Sequence, residues 1–125
     1  MKAIIKPLLV LAVLAPMPLA PAQAHHSYAM FDMNKTLELK ATVTRFKWQN
    51  PHAFIEVDVP VKGQVERWAI EMTSPNNLAN EGWKRTTLKT GDKVTLKIHP
   101  LRNGSKGGSY VAVRKADGFM LGDWK

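Results

Sequence analysis

Apolar and polar residues alternate along four segments of the chain, and this period of two predicts β-strands that bury one face. The inward-facing positions of these strands are Leu37, Leu39, Ala41 and Val43, then Ile55, Val57 and Val59, then Trp68, Ile70 and Met72, and finally Val94, Leu96 and Ile98. A glycine-rich loop is predicted over Asn103–Ser109, and a fifth strand over Tyr110–Lys115. A turn at Asp117-Gly118 then leads into a short final strand through Leu121.

The alternation in the first strand changes phase near its end. After Val43, the apolar residues shift to Phe46 and Trp48 across Thr44-Arg45. One inserted residue on a strand, a β-bulge, produces such a shift and bends the strand. The first strand is therefore predicted to be bulged and curled.

A short helix is predicted between the third and fourth strands. Ser74 is suited to the N-cap, Pro75 to the first helical position and Gly82 to the residue just past the end. The OB-fold has its helix in this place, and its first strand is bent. The order of elements predicts an all-β domain, a small curled OB-like barrel of five or six strands with one short helix between strands 3 and 4. A small β-sandwich is the alternative, because the order of elements does not close the barrel.

The N-terminal segment has a different pattern, typical of a secretory signal peptide. Lys2 and Lys6 precede an unbroken apolar run, Leu8–Ala15, and Ala22-Gln23-Ala24 supplies a small-x-small cleavage pattern. The run is shorter than the roughly 20 apolar residues of a transmembrane helix. We therefore predict a cleaved signal over residues 1–24 and a single domain over 25–125. The mature protein is expected to be periplasmic or secreted and not membrane-spanning; an uncleaved anchor is the alternative.

The charge is basic and unevenly distributed. The 125 residues include 18 Lys and Arg against 10 Asp and Glu, for a net charge of +8. Residues 82–125 hold ten of the basic and three of the acidic side chains. Such a segment is either a solvated surface or one attracted to another envelope protein or an anionic surface. Because export separates the protein from DNA and messenger RNA, no nucleic-acid partner is expected.

The candidate chemistry lies at the predicted mature N-terminus. The chain has no cysteine, which excludes thiolate metal sites, disulfides and CxxC motifs. Cleavage after Ala24 gives His25 a free α-amine, so its amine and ring Nδ1 can chelate one metal ion. A second histidine then completes a set of three nitrogens, which favours Cu(II) among divalent metals. Copper is the cofactor that this pattern implies.

The other three histidines are candidate ligands, each with an alternative role. His52 follows the Asn50-Pro51 turn at the mouth of the second strand; otherwise it binds a backbone carbonyl there. His26 either forms an amine–amide–imidazole chelate or takes no part. His99 lies on the outward face of the fourth strand, where a plain surface histidine is the alternative. Trp48 and Asn50 are the candidate ligand-binding residues.

Several segments together resemble a family of small exported bacterial proteins known only as a domain of unknown function, number 6152. The segments are His25–Asp32, Phe46–Ala53, Ile70-Glu71, Ser74-Pro75 and Gly82-Trp83. The resemblance implies export and a β-rich fold and brings no activity with it.

The N-terminal arrangement also resembles the site of histidine-brace copper proteins, which include polysaccharide monooxygenases and periplasmic copper carriers. The resemblance is to a site and not to a fold. It implies that His25 is the chelating first residue and that His52 is the second histidine.

Three functions follow from these patterns. The first is a periplasmic copper(II) carrier or buffer. The second, ranked lower because the chain is small, is a copper-dependent oxidase; we expect a non-enzymatic role, and no GxSxG, HExxH or cysteine motif supports hydrolysis. The third is a metal-free OB-like binding module for an envelope ligand or partner protein, with contacts from Arg102–Ser109 and the basic second half.

Overall fold

The computed structural model describes residues 28–125, which form one mainly antiparallel sheet that closes on itself, together with one short helix. Strand neighbours follow the order β3-β2-β1-β4-β5-β6, and β3 also pairs in parallel with β5. Strands β1 to β5 therefore make a closed barrel, and β6 is added at one side. This confirms the all-β, OB-like prediction over the sandwich. The elements are β1 Leu37–Lys47, β2 Phe54–Val61, β3 Gln64–Glu71, α1 Pro75–Asn80, β4 Lys93–Pro100, β5 Gly107–Lys115 and β6 Met120–Gly122, after a 3-10 turn at Tyr28–Met30.

The barrel interior holds most of the apolar positions that the period of two selects; the exception is Leu37, at the start of β1, which is 41% exposed. In β2, Ile55, Val57 and Val59 are buried while the residues between them are half-buried. Ile70 of β3 and Ile98 of β4 are also fully buried. Burying apolar area is the main favourable term in folding, so these alternating positions account for most of the driving force.

The predicted bulge in β1 is present. Val43 pairs with Val57 and Arg45 pairs with Glu56, so Thr44 is the extra residue. A second irregularity, between Lys97 and Ile98 of β4, lies opposite β5. Bulges increase the local bend and twist of a strand. A five-stranded sheet needs bend and twist to close into a barrel.

The helix forms where the capping residues predict it. The Ser74 side chain accepts a hydrogen bond from the Asn77 amide at 3.3 Å, and Pro75 occupies the first turn. Pro75 and Leu78 are buried, so the helix covers the barrel with these two side chains. No helix within the described residues has the length and apolar composition that crossing a membrane requires.

The structure corrects the predicted Asn103–Ser109 loop. β5 begins at Gly107, and Gly107, Gly108 and Ser109 pair with Ala69, Ile70 and Glu71 of β3. The glycines are there because the strands approach closely. A Cβ on Gly107 would lie 2.9 Å from the Ala69 carbonyl oxygen, and one on Gly108 would lie 2.5 Å from that of His99. The glycine pattern marks barrel closure and not a flexible loop.

We expect Gly107→Ala to lower the free energy of unfolding by about 1–3 kcal/mol, because a methyl group there would lie 2.9 Å from the Ala69 carbonyl oxygen across the β3–β5 seam. The measurement is urea denaturation followed by tryptophan fluorescence. Ser105→Ala, in the exposed turn just before β5, is the control and should leave the midpoint unchanged. Equal stability of the two variants would contradict the account of closure.

Candidate functional site

The closure seam places a row of polar side chains on the outside of the barrel. Ser109 of β5 pairs with Glu71 of β3 on one side and with His99 of β4 on the other. Directly opposed residues on neighbouring strands point to the same face. Glu71 and His99 therefore stand two strand spacings apart, about 10 Å at the backbone.

Glu71 holds the ring of His52. The Glu71 Oε1 atom lies 2.6 Å from His52 Nδ1, and the two side chains are 13% and 32% exposed. His52 lies just before β2, after a cis peptide bond between Asn50 and Pro51. Because an ionised carboxylate only accepts hydrogen bonds, Nδ1 carries the proton and the lone pair of the neutral ring is on Nε2.

His99 is held in the same tautomer by a different acceptor. Its Nδ1 atom lies 2.7 Å from the backbone carbonyl oxygen of Lys35, which can only accept. The lone pair of this neutral ring is again on Nε2. Metal-binding histidines show this arrangement, in which one ring nitrogen donates to a carboxylate or carbonyl and the other binds the metal.

Both rings line one cavity of about 510 Å³ on the outside of the seam. Its other walls include Glu71 and Ser109 of the seam row, and Tyr28 and Phe31 of the segment that precedes β1. His52 and His99, which are far apart in sequence, therefore face the same space. His99 lies on the outward face of β4, as predicted. Its ring does not lie on an open surface, however, but lines this cavity.

The segment before β1 is fixed along the end of β4. Phe31 is 5% exposed and forms a β-bridge with Leu101. The Asp32 amide donates to the Pro100 carbonyl at 2.8 Å, and the Arg102 amide donates to that of Met30 at 3.0 Å. These contacts bring Tyr28, the first described residue, to the wall of the cavity.

The described residues do not make a complete metal site. Within residues 28–125, no group of three His, Asp or Glu side chains is arranged to hold a metal ion. His25 and His26, the other predicted ligands, lie outside the described residues. The arrangement offers two oriented imidazoles, a nearby carboxylate and an entrance that the N-terminal segment borders.

The other two predicted binding residues lie elsewhere. Trp48 packs edge-on against Phe46, with ring centroids 5.8 Å apart, at the margin of the core. Asn50 is exposed before the cis peptide bond. Neither residue lines the cavity, and their part in ligand binding stays a prediction.

Glu71 and Tyr110 are cavity residues that the sequence did not indicate as functional. Glu71 is one of the outward-facing residues of β3. It becomes part of the cavity only because β3 pairs with β5, and no local sequence pattern shows that pairing. Tyr110 packs against Trp83, with ring centroids 5.3 Å apart. Burial raises the pKa of the Tyr110 hydroxyl well above its ordinary value of 10.0. At neutral pH this wall of the cavity is therefore an uncharged phenol.

Comparison with known proteins gives a family without an activity. The model of a family of unknown function, DUF6152, matches residues 13–111. No curated protein matches the chain. Among solved structures, the chain is similar to Rim1, a mitochondrial single-stranded DNA binding protein from S. cerevisiae, with a TM-score of 0.49 and 9% sequence identity over 68% of this chain and 97% of that one. The name of the yeast protein carries no conclusion about this one.

We expect Tyr110 to resist ionisation in the folded protein. The chain has two tyrosines, so Tyr28→Phe leaves Tyr110 as the only source of tyrosinate absorbance. An unfolded tyrosine ionises near pH 10, whereas folded Tyr110 keeps its proton. The free energy of unfolding should therefore fall as the pH rises above about 10. A half-maximal tyrosinate signal near pH 10 from folded protein, as an exposed tyrosine gives, would show that the hydroxyl is not buried.

Proposed function

The chain belongs to DUF6152, a family of unknown function, and we propose that it is an exported copper(II)-binding protein, a carrier or buffer, whose metal site forms where the mature N-terminus meets the cavity on the barrel seam. The proposal combines a predicted N-terminal His25 with His52 and His99. The observation that carries it is that His52, His99 and Tyr28 line one cavity.

Chain length supports the meeting of these groups. Three residues of extended chain span about 10 Å, and His25 is three residues before Tyr28. Tyr28 is itself a wall residue. A chain of this length is long enough for the His25 amine to reach the cavity, which supports the proposal.

The donor set suits copper in its divalent state. The His25 amine and ring supply two nitrogens, and Nε2 of His52 supplies a third. His99 or His26 is the candidate for a fourth position. Imidazole and amine nitrogens favour Cu(II) over the other common divalent metals, and an amine with an ordinary pKa of 7.7–8.0 loses its proton readily near neutral pH.

Glu71 is proposed to position His52 and not to bind the metal directly. Its hydrogen bond to Nδ1 fixes the ring orientation, so that Nε2 is the nitrogen available to the metal. The His52 side chain is 32% exposed, so a metal ion has access from solvent. Such access suits a protein that takes up and releases its metal, as a carrier or buffer does.

The first test blocks the α-amine. The correctly cleaved protein is titrated with Cu(II) beside a form whose His25 α-amine is blocked by acetylation, which adds no new amine. We expect the acetylated form to lose most of its affinity, because the chelate through the terminal amine is lost. Equal affinity of the two forms would rule out the N-terminal site. Absence of binding in both would favour the metal-free binding module.

The second test separates the roles of the cavity residues. His52→Ala should weaken Cu(II) binding and change the visible absorption spectrum of the complex. Glu71→Gln should weaken binding by about tenfold to a hundredfold, the usual effect of losing a partner that orients a ligand. His26→Ala is the matched comparison. If His26→Ala removes binding while His52→Ala has no effect, the metal is held by an N-terminal peptide chelate away from the barrel.

A further inference from the structure

A second depression on the barrel, separate from the histidine cavity, combines positive charge with exposed apolar side chains. It has a volume of about 460 Å³ and lies on the outer face of β1, β4 and β5. We call it the basic groove, defined by its four cations, Lys40, Lys93, Arg114 and Lys115. We infer that this groove and its apolar margins dock the protein on a membrane surface that contains anionic lipid.

Strand register aligns the cations. Lys40 of β1 pairs with Thr95 of β4, Thr95 pairs with Arg114 of β5, and Arg114 pairs with Met120 of β6. Lys93 lies two residues before Thr95 and therefore on the same face of β4; its Nζ atom is 3.3 Å from the Thr42 hydroxyl. The sheet thus holds the cations Lys40, Lys93 and Arg114 on one surface. The apolar side chain of Met120 lies at the end of this row.

Three of the four charges have no ion-pair partner among the described residues. Within residues 28–125, no carboxylate lines the groove, and none lies within 4.0 Å of Lys40, Lys93 or Arg114. Lys115 differs, since its Nζ atom is 3.5 Å from Asp92. The Arg114 guanidinium lies 4.9 Å from the centre of the Trp124 ring, which supports its position over the sheet.

Exposed apolar side chains border the groove at two places. Gly118 lines the groove, and the next two residues, Phe119 and Met120, are 43% and 52% exposed. Pro60 lines it on the other side and pairs with Val65, which is 66% exposed. Because these apolar side chains are exposed, packing in the core does not account for their apolar character.

The turn that presents Phe119 is well defined. The Phe119 amide donates to the Asp117 carboxylate at 2.9 Å, and the Phe119 carbonyl accepts from the Lys115 amide at 2.8 Å. The Lys115 ammonium lies 5.9 Å from the centre of the Phe119 ring. An ordered turn places the ring at the surface with little further loss of conformational entropy on docking.

The combination of features favours a lipid surface over a soluble polyanion. Cations alone suffice to bind a polyanion, and such binding gives Phe119, Met120 and Val65 no role. At a membrane, cations contact the anionic headgroups while apolar and aromatic side chains enter the boundary of the acyl chains. The groove supplies both elements side by side, and the excess of basic residues over 82–125 acts in the same direction.

The test is flotation of the purified mature protein with vesicles of phosphatidylcholine, with and without phosphatidylglycerol. We expect binding only to the anionic vesicles and a decrease as salt increases. Lys40→Gln combined with Arg114→Gln should reduce binding by about twenty-five-fold, since each cation near such a surface contributes about a factor of five. Phe119→Ser combined with Met120→Ser should reduce it by about tenfold through lost apolar contact.

The controls match each change. Lys84→Gln combined with Arg85→Gln removes the same charges from an exposed loop outside the groove, and Leu37→Ser removes an exposed apolar side chain elsewhere. Both should keep most of the binding. The proposal would be overturned if the groove variant and the loop variant lost vesicle binding equally. Binding to neutral vesicles, or no binding to any vesicle, would also overturn it. Binding of a single-stranded oligonucleotide that the Phe119 and Met120 substitutions leave unchanged, without vesicle binding, would assign the groove to a soluble polyanion. None of these outcomes depends on copper.

Discussion

Close contact between β3 and β5 is the constraint on which the rest of the structure depends. Gly107 makes it possible, because a side chain there would collide with the backbone of Ala69 in β3. Gly108 allows the equally close approach of His99 in β4 on the other side of β5. The parallel pairing at this point turns an open antiparallel sheet into a barrel. It encloses the apolar core and also determines which outward-facing residues become neighbours.

The candidate metal site is a consequence of that closure. Glu71 ends β3 and His99 lies near the end of β4, and each becomes a neighbour of Ser109 through β5. His52 is drawn to the same place by its hydrogen bond to Glu71. The segment before β1 then runs along β4 and brings Tyr28 to the cavity. The function we propose therefore depends on tertiary pairing and not on a local motif.

Local patterns predicted most of the fold. The period of two located the buried face of each long strand, the phase shift after Val43 located the bulge, and Ser74-Pro75 located the helix. The predicted start of β5 was wrong because a glycine-rich strand end has the same composition as a glycine-rich loop. The parallel pairing of two strands far apart in sequence leaves no periodic signal, so closure itself was inferred only by analogy with a known order of elements.

The site was less accessible to sequence analysis. His52 was indicated by its place after Asn50-Pro51, but the partner that orients it, Glu71, is an ordinary outward-facing strand residue until β3 meets β5. The sequence leaves His99 as either a ligand or a plain surface residue, because no local pattern shows its pairing with Ser109. The cysteine-free composition and the four histidines limited the possible chemistry, whereas only the barrel shows that two of these histidines share a cavity.

The central claim, that copper binds at the seam, is tested most directly by paramagnetic broadening of backbone amide signals in the mature protein at substoichiometric Cu(II). The account predicts strong broadening of Glu71, His99 and Ser109, which surround the cavity, and sharp signals from Gly63 at the β2–β3 turn. Broadening confined to the residues before Tyr28 would place the metal on the N-terminal peptide alone and would contradict the account.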